Sequence, residues 1–188
     1  MDRLVIPIAA VGGGAHVQAT IPFADVLPRD AEPLPLEHVT VEGHLTPAAD
    51  DFLFSGKLYG EFVHPCDRCL KPMRHPFSVE VFWTFEEGPA LTELERMMRD
   101  DENLGGIWTF QGVELDLRLP VYDECVLAAP TKFVCSETCA GLCPECGQPL
   151  NEHERPCPGA AQEEPIANNA FSGLAEMFPD LAPRKHEE

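Results

Sequence analysis

The sequence predicts an α+β fold, with an antiparallel meander sheet in its first half and helices and a zinc-knuckle segment in its second half. Three observations carry that expectation. Between Val39 and Phe85, apolar and polar residues alternate in successive runs joined by short turns, the pattern of half-buried antiparallel strands. After residue 90 the apolar residues recur at three- and four-residue intervals, the period of amphipathic helices. Then CSETCAGLCPECG, residues 135–147, packs four of the eight cysteines of the 188-residue chain into one short polar run.

In chain order, Leu4 to Ile8 reads as a short strand and Gly12 to Gly14 as a turn. Residues 28–36 (PRDAEPLPL) are rich in proline and polar groups, a linker or surface loop. Val39, Val41, Gly43 and Leu45 alternate with polar neighbours; a turn follows at Thr46 to Asp51. A second alternating strand runs from Phe52 to Val63, and a third, FSVEVFWTF, from Phe77 to Phe85. LTELERMMR, from Leu91 to Arg99, has the spacing of a short helix, and Gly106 to Phe110 that of a single strand. Leu115 to Ala129 places Leu115, Leu119, Tyr122, Val126 and Ala129 on one helical stripe, with Asp116 to cap the start and Pro120 in the first turn. Cys125 beside that stripe reads as a buried, inert thiol. Asn168 or Asn169 caps a last helix, Ala170 to Met177, whose Phe171 and Leu174, followed by Phe178, dock on the body of the domain. The expected division is a core domain over residues 1–130, a cysteine-rich zinc-binding segment over 131–158, and a spacer, docking helix and disordered acidic tail over 159–188.

With 32 acidic against 13 basic residues the formal net charge is −19, which repels phosphate backbones at long range. Direct contact with nucleic acid then requires a local basic patch. One lies in HPCDRCLKPMRH, residues 64–75, where Arg68, Lys71 and Arg74 outnumber a single acid. No apolar run approaches the roughly 20 residues that cross a bilayer, and the first residues lack the pattern of an export signal, so the expected compartment is the cytoplasm. There thiols stay reduced, and clustered cysteines serve as metal ligands or catalytic groups.

Cys143 and Cys146 flank two residues and precede Gly147, a spacing that lets a tight turn aim both sulfurs at one ion. Cys135 and Cys139, four residues apart, share a face if that stretch is helical. Four soft thiolates in a tetrahedral array favour zinc over harder cations. Two partitions stand open, beside a cluster that holds no metal at all. In the first, Cys135, Cys139, Cys143 and Cys146 hold one ion, with Cys157 a spare ligand. In the second, Cys66 and Cys69, a C-x2-C of their own, join Cys135 and Cys139 at one ion, and Cys143, Cys146, His153 and Cys157 hold another.

Other chemistries fit less well. A redox C-x2-C opens a helix after a strand in a βαβ unit, whereas Cys66 to Cys69 follows a meander strand and precedes Pro72. The seven histidines form no constellation with a serine or cysteine nucleophile. Gly12 to Gly14 lacks the lysine and helix start of a nucleotide-binding loop. The readings that compete with a binding role are a thiol oxidoreductase using Cys66 and Cys69 and a general protein-interaction module.

Taken in order, C-D-R-C-L (Cys66 to Leu70), L-D-L (Leu115 to Leu117) leading to A-A-P (Ala128 to Pro130), C-x3-C-x-G-L-C-P-x-C-G (Cys135 to Gly147), L-N (Leu150, Asn151) and F-x-x-L (Phe171 to Leu174) resemble the YceD family, the large ribosomal RNA subunit accumulation proteins. The resemblance runs from about residue 36 onward. It implies a non-enzymatic role in accumulating or processing large-subunit ribosomal RNA. For so acidic a chain, the partners expected are basic ribosomal proteins or ribosomal precursor particles, with Arg68, Lys71 and Arg74 making any direct RNA contact. Zinc would then be structural, clamping the polar segment 135–157, which has too few large apolar side chains to fold unaided.

Overall fold

The alternating runs become a five-stranded sheet in a computed structural model, which describes residues 4–89 and 106–152. Its strands stand in the order β2 (Ala15–Pro22), β3 (Leu36–Ala48), β4 (Asp51–Pro65), β5 (Pro72–Glu87) and β6 (Gly106–Phe110). The first four run antiparallel to their neighbours, whereas β6 joins β5 in parallel, so the sheet is mixed. A parallel return needs a long connection, and residues 88–105 supply the length. A separate two-stranded sheet pairs β1 (Val5–Pro7) with β7 (Glu114–Asp116), and among the described residues the helices are the single turn α1 (Ile8–Val11), a 3₁₀ turn at Phe23–Asp25, and α2 (Arg118–Ala128).

Strand β2 is absent from the sequence reading. Its Val17, Ala19 and Ile21 do alternate with His16, Gln18 and Thr20, but small and polar residues between a glycine run and two prolines gave little apolar contrast. β3 and β5 also run further than expected, β5 starting at Pro72. There β6 covers only Trp83 to Glu87, and the edge before it meets no strand among the described residues, so Pro72 and Pro76 cost no ladder bond.

Every second residue of the sheet turns inward. Val17, Val39, Val41, Leu45, Phe54, Leu58, Phe62, Val81, Trp83 and Phe85 are buried there, with Phe54 and Trp83 stacked at 4.9 Å. Gly43 and Gly56 face each other in β3 and β4, and a Cβ on Gly56 would stand 2.3 Å from the Glu42 carbonyl oxygen. Only the bare backbone lets those strands approach so closely there.

α2 corrects the sequence reading twice. It starts at Arg118, Leu115 belonging to β7, and Asp116 accepts the Arg118 backbone N–H at 2.9 Å, with Pro120 in the first turn as expected. The buried residues are Leu117, Pro120, Val121 and Cys125, whereas Leu119 and Val126 of the expected stripe are exposed. The 117, 121, 125 series satisfies helical spacing equally well and joins the buried core, and Trp83 of β5 donates its indole N–H to Glu124 of the same helix at 3.2 Å. The expected helices at Leu91–Arg99 and Ala170–Met177 lie outside the described residues.

The chain divides into two compact units, Met1–Cys139 and Ala140–Glu188, so the cysteine-rich run is split between them. In the second, Leu142 bridges Pro149 across a turn that contains Cys143 and Cys146.

Candidate metal centre

β4 and β5 pair down to Pro65 and Pro72, and the six residues left over close the hairpin as a C-x2-C turn. The Cys66 N–H donates to the Lys71 carbonyl at 2.9 Å, and the Leu70 N–H to that of Cys66 at 2.8 Å. Closing so tight a loop puts Leu70 at φ +60°, a left-handed conformation that glycine adopts more readily. Both sulfurs turn inward, Cys66 fully buried and Cys69 4% exposed.

A distant stretch of chain lies against this turn. Phe133 and Asp67 are tied in both directions: the Asp67 N–H donates to the Phe133 carbonyl at 2.7 Å, and the Phe133 N–H to the Asp67 carboxylate at 2.7 Å. The Phe133 ring stands 5.8 Å from Phe62, 4.7 Å from His64 and 6.3 Å from His75, centroid to centroid. From there the chain passes Cys135 and turns at Ser136, whose carbonyl accepts the Cys139 N–H at 3.1 Å. Cys135 and Cys139 therefore sit in turns, not on the helical face expected of them.

The outcome is a four-sulfur cluster. Sγ of Cys66, Cys69, Cys135 and Cys139 all lie within 4.8 Å of one another, Cys66 to Cys139 at 3.9 Å and Cys69 to Cys135 at 3.7 Å. Sulfurs bound at about 2.3 Å to a tetrahedral ion stand about 3.8 Å apart. Disulfide-bonded sulfurs would be about 2.0 Å apart. The donor set and its spacing thus fit a soft or borderline metal ion held by four thiolates.

Electrostatics divides the thiols unequally. Burial pushes Cys66 up, but N–H groups of Cys135, Cys69 and Arg68 outweigh it, and its pKa falls to about 6; the Cys135 N–H stands 3.4 Å from that sulfur. The Lys71 N–H pulls Cys69 down, yet burial and the sulfurs of Cys66 and Cys139 leave it above its ordinary value. Cys135 is pushed up to about 12, by hydrogen bonding with Cys139 first and Cys69 second. An ion that binds all four as thiolates displaces whatever protons they carry.

Of the two partitions, the four residues that assemble are those of the first ion in the two-ion reading; Cys143 and Cys146 are not in that set. In the second unit, the Cys143 N–H donates to the Gln148 carbonyl and the Gly147 N–H to the Cys143 carbonyl, both at 2.8 Å, with Gly147 at φ +71°. That repeats, position for position, the bonds and the left-handed residue of the Cys66 turn. His153 and Cys157 lie outside the described residues. Cys125 is buried under α2, where burial, then the charge of Glu124, pushes its pKa up to about 12.

The basic patch is partly committed elsewhere. Arg68 gives Nη1 to the carbonyls of Glu137 and Cys139, each at 3.0 Å, and Arg74 pairs with Glu61 at 2.7 Å. Lys71 is exposed. Sequence reasoning overlooked Asp67 and Phe133; the one signal was an acid and a base enclosed by the cysteines of C-D-R-C, two residues that a solvent-exposed turn does not need.

Residues 54–178 match the YceD family, described as large ribosomal RNA subunit accumulation protein YceD. An uncharacterized protein of Mycobacterium bovis and uncharacterized proteins of two Mycobacterium tuberculosis strains are each 29% identical to this chain over 102 residues, 54% of this chain and 46% of theirs. The chain spans about half the length of these curated relatives. No solved structure matches.

Proposed function

The chain belongs to the YceD family, and from that membership we propose that it is a non-enzymatic ribosome-assembly factor that supports accumulation or processing of large-subunit ribosomal RNA. Family membership is the observation that carries this reading. The net charge of −19 supports basic ribosomal proteins, or precursor particles that display them, as the surface it engages in the cytoplasm. Any direct RNA contact falls to Lys71 and Arg74, both exposed, more than to Arg68, which is turned to the loop at Glu137 and Cys139.

Zinc is the ion we assign to Cys66, Cys69, Cys135 and Cys139, in a structural role. Four protein ligands leave no open coordination position for a substrate or an activated water. When bound, the ion supplies a cross-link between the β4–β5 hairpin and the stretch after α2. A second zinc on Cys143 and Cys146, completed by His153 and Cys157, draws support from the matching geometry of the two C-x2-C turns. A thiol oxidoreductase using Cys66 and Cys69 needs an accessible attacking sulfur, and the burial of both favours the structural role.

The test is sucrose-gradient profiling of the tagged full chain with elemental analysis of the same preparation. The expected result is co-sedimentation with precursors of the large subunit and one or two zinc ions per chain. Exclusive recovery at the top of the gradient would overturn the assembly role, and absence of any transition metal would overturn the metal role.

A further inference from the structure

We propose that Asp67 and Arg68, the two residues enclosed by Cys66 and Cys69, are positioning residues that set Cys135 and Cys139 for the metal. This rests on reading the four cysteines as a metal site. The two cysteine pairs are far apart in sequence, and ordering a free loop around an ion costs conformational entropy at every residue fixed. Here the two residues between the first pair of sulfurs reach across and fasten the second pair's loop at both ends. Asp67 holds the entrance, its carboxylate on the Phe133 N–H and its own N–H on the Phe133 carbonyl. Arg68 holds the exit, one guanidinium nitrogen shared between the carbonyls of Glu137 and Cys139. Cys135 lies between these anchors, and Cys139 carries one of the accepting carbonyls.

The residue types follow from the geometry. An acceptor is required at position 67, because an amide hydrogen points at it. A long cationic donor suits position 68, because two carbonyls share its Nη1 and because a divalent ion with four thiolates carries a net charge of about −2. Outer groups that orient metal ligands typically contribute about 10- to 100-fold in affinity.

The full chain is stripped of metal under reducing conditions. It is then titrated with Zn²⁺ against a chromogenic chelator, and with Co²⁺ while its visible and sulfur-to-metal bands are recorded. Asp67→Ala and Arg68→Gln each lose about 10- to 100-fold in Zn²⁺ affinity and alter the Co²⁺ bands, while the thermal midpoint of the metal-free protein stays put. Asp67→Asn, which keeps an acceptor for the Phe133 N–H, binds within about threefold of the natural protein, as expected where the conservative change preserves the orienting bond. If Asp67→Ala fails to fold, Arg68→Gln at an exposed position carries the test. Natural affinity and natural Co²⁺ bands in both Asp67→Ala and Arg68→Gln would overturn the positioning role and leave the metal reading intact. A natural protein that binds neither ion would overturn both.

Discussion

Replacing Phe133 by alanine isolates the packing part of the anchor that brings the second cysteine pair to the first. Phe133 is half-buried against Phe62, His64 and His75. Fully burying a phenylalanine is worth about 1.5–3 kcal/mol, so half-burial gives about 1 kcal/mol. The aromatic contact with Phe62 adds about 0.5–1.5 kcal/mol. The two bonds between Asp67 and Phe133 use only the backbone of Phe133 and survive the change. The expected loss is therefore about 2 kcal/mol, confined to residues 131–139, which then open roughly 30-fold more often. Hydrogen exchange followed by mass spectrometry on the metal-free chain reads this directly, with peptides from β3 and β4 as internal controls. Phe133→Leu, which keeps most of the apolar volume, recovers about half of the protection on the same scale. Unchanged exchange over 131–139 would refute the reasoning, and so would an equal rise through β3 and β4, because the ring would then belong to the general core.

Leu70→Gly removes a left-handed strain at a position already 60% exposed, and chemical denaturation is expected to show a gain of about 0.5–1 kcal/mol. Gly56→Ala forces a Cβ against the Glu42 carbonyl and Gly43 Cα, backbone atoms that cannot rotate away; the same measurement should give a loss of about 3 kcal/mol. Cys125 stays protonated to about pH 12 when folded and ionises earlier when unfolded, so its contribution is complete below about pH 8.5 and lost as pH rises toward 12. The stability difference between the natural protein and Cys125→Ala should therefore shrink across that window in urea titrations; a constant difference would contradict the burial of the thiol.

What could be read from the residues alone follows their contrast. β3 and β4 were legible because large apolar groups such as Val41, Leu45, Phe54 and Leu58 face inward between polar neighbours. β2 escaped because its inward residues include Ala19 and its flanks are glycine and proline. Around Cys125 two helical stripes were available, and the choice between them depends on which face packs against the core, which local periodicity cannot see. For the site, each C-x2-C was visible in itself, but the partner of each was not. Nearness in sequence favoured joining Cys135 and Cys139 to Cys143 and Cys146, while the fold carries the β4–β5 turn to them. The bonds that do so run mainly through backbone groups of residues 133–139, which side-chain identity does not announce.

The same bonds bear on how the proposed contact with a ribosomal precursor would be made. A patch of Arg68, Lys71 and Arg74 counts as three cations in the sequence, but Arg68 is committed to two carbonyls and Arg74 to the Glu61 carboxylate. Contact with phosphate through either would first break a hydrogen bond or an ion pair, and affinity for RNA grows with the number of phosphates neutralised. A chain with 32 acidic against 13 basic residues is better matched, in the proposed assembly role, to basic protein segments. On this account the cysteine cluster does not recognise a partner. In the proposed structural role, the ion would tie the hairpin to the stretch after α2, and recognition would fall to acidic side chains elsewhere on the chain. High salt should accordingly release the chain from precursor particles without extracting the metal.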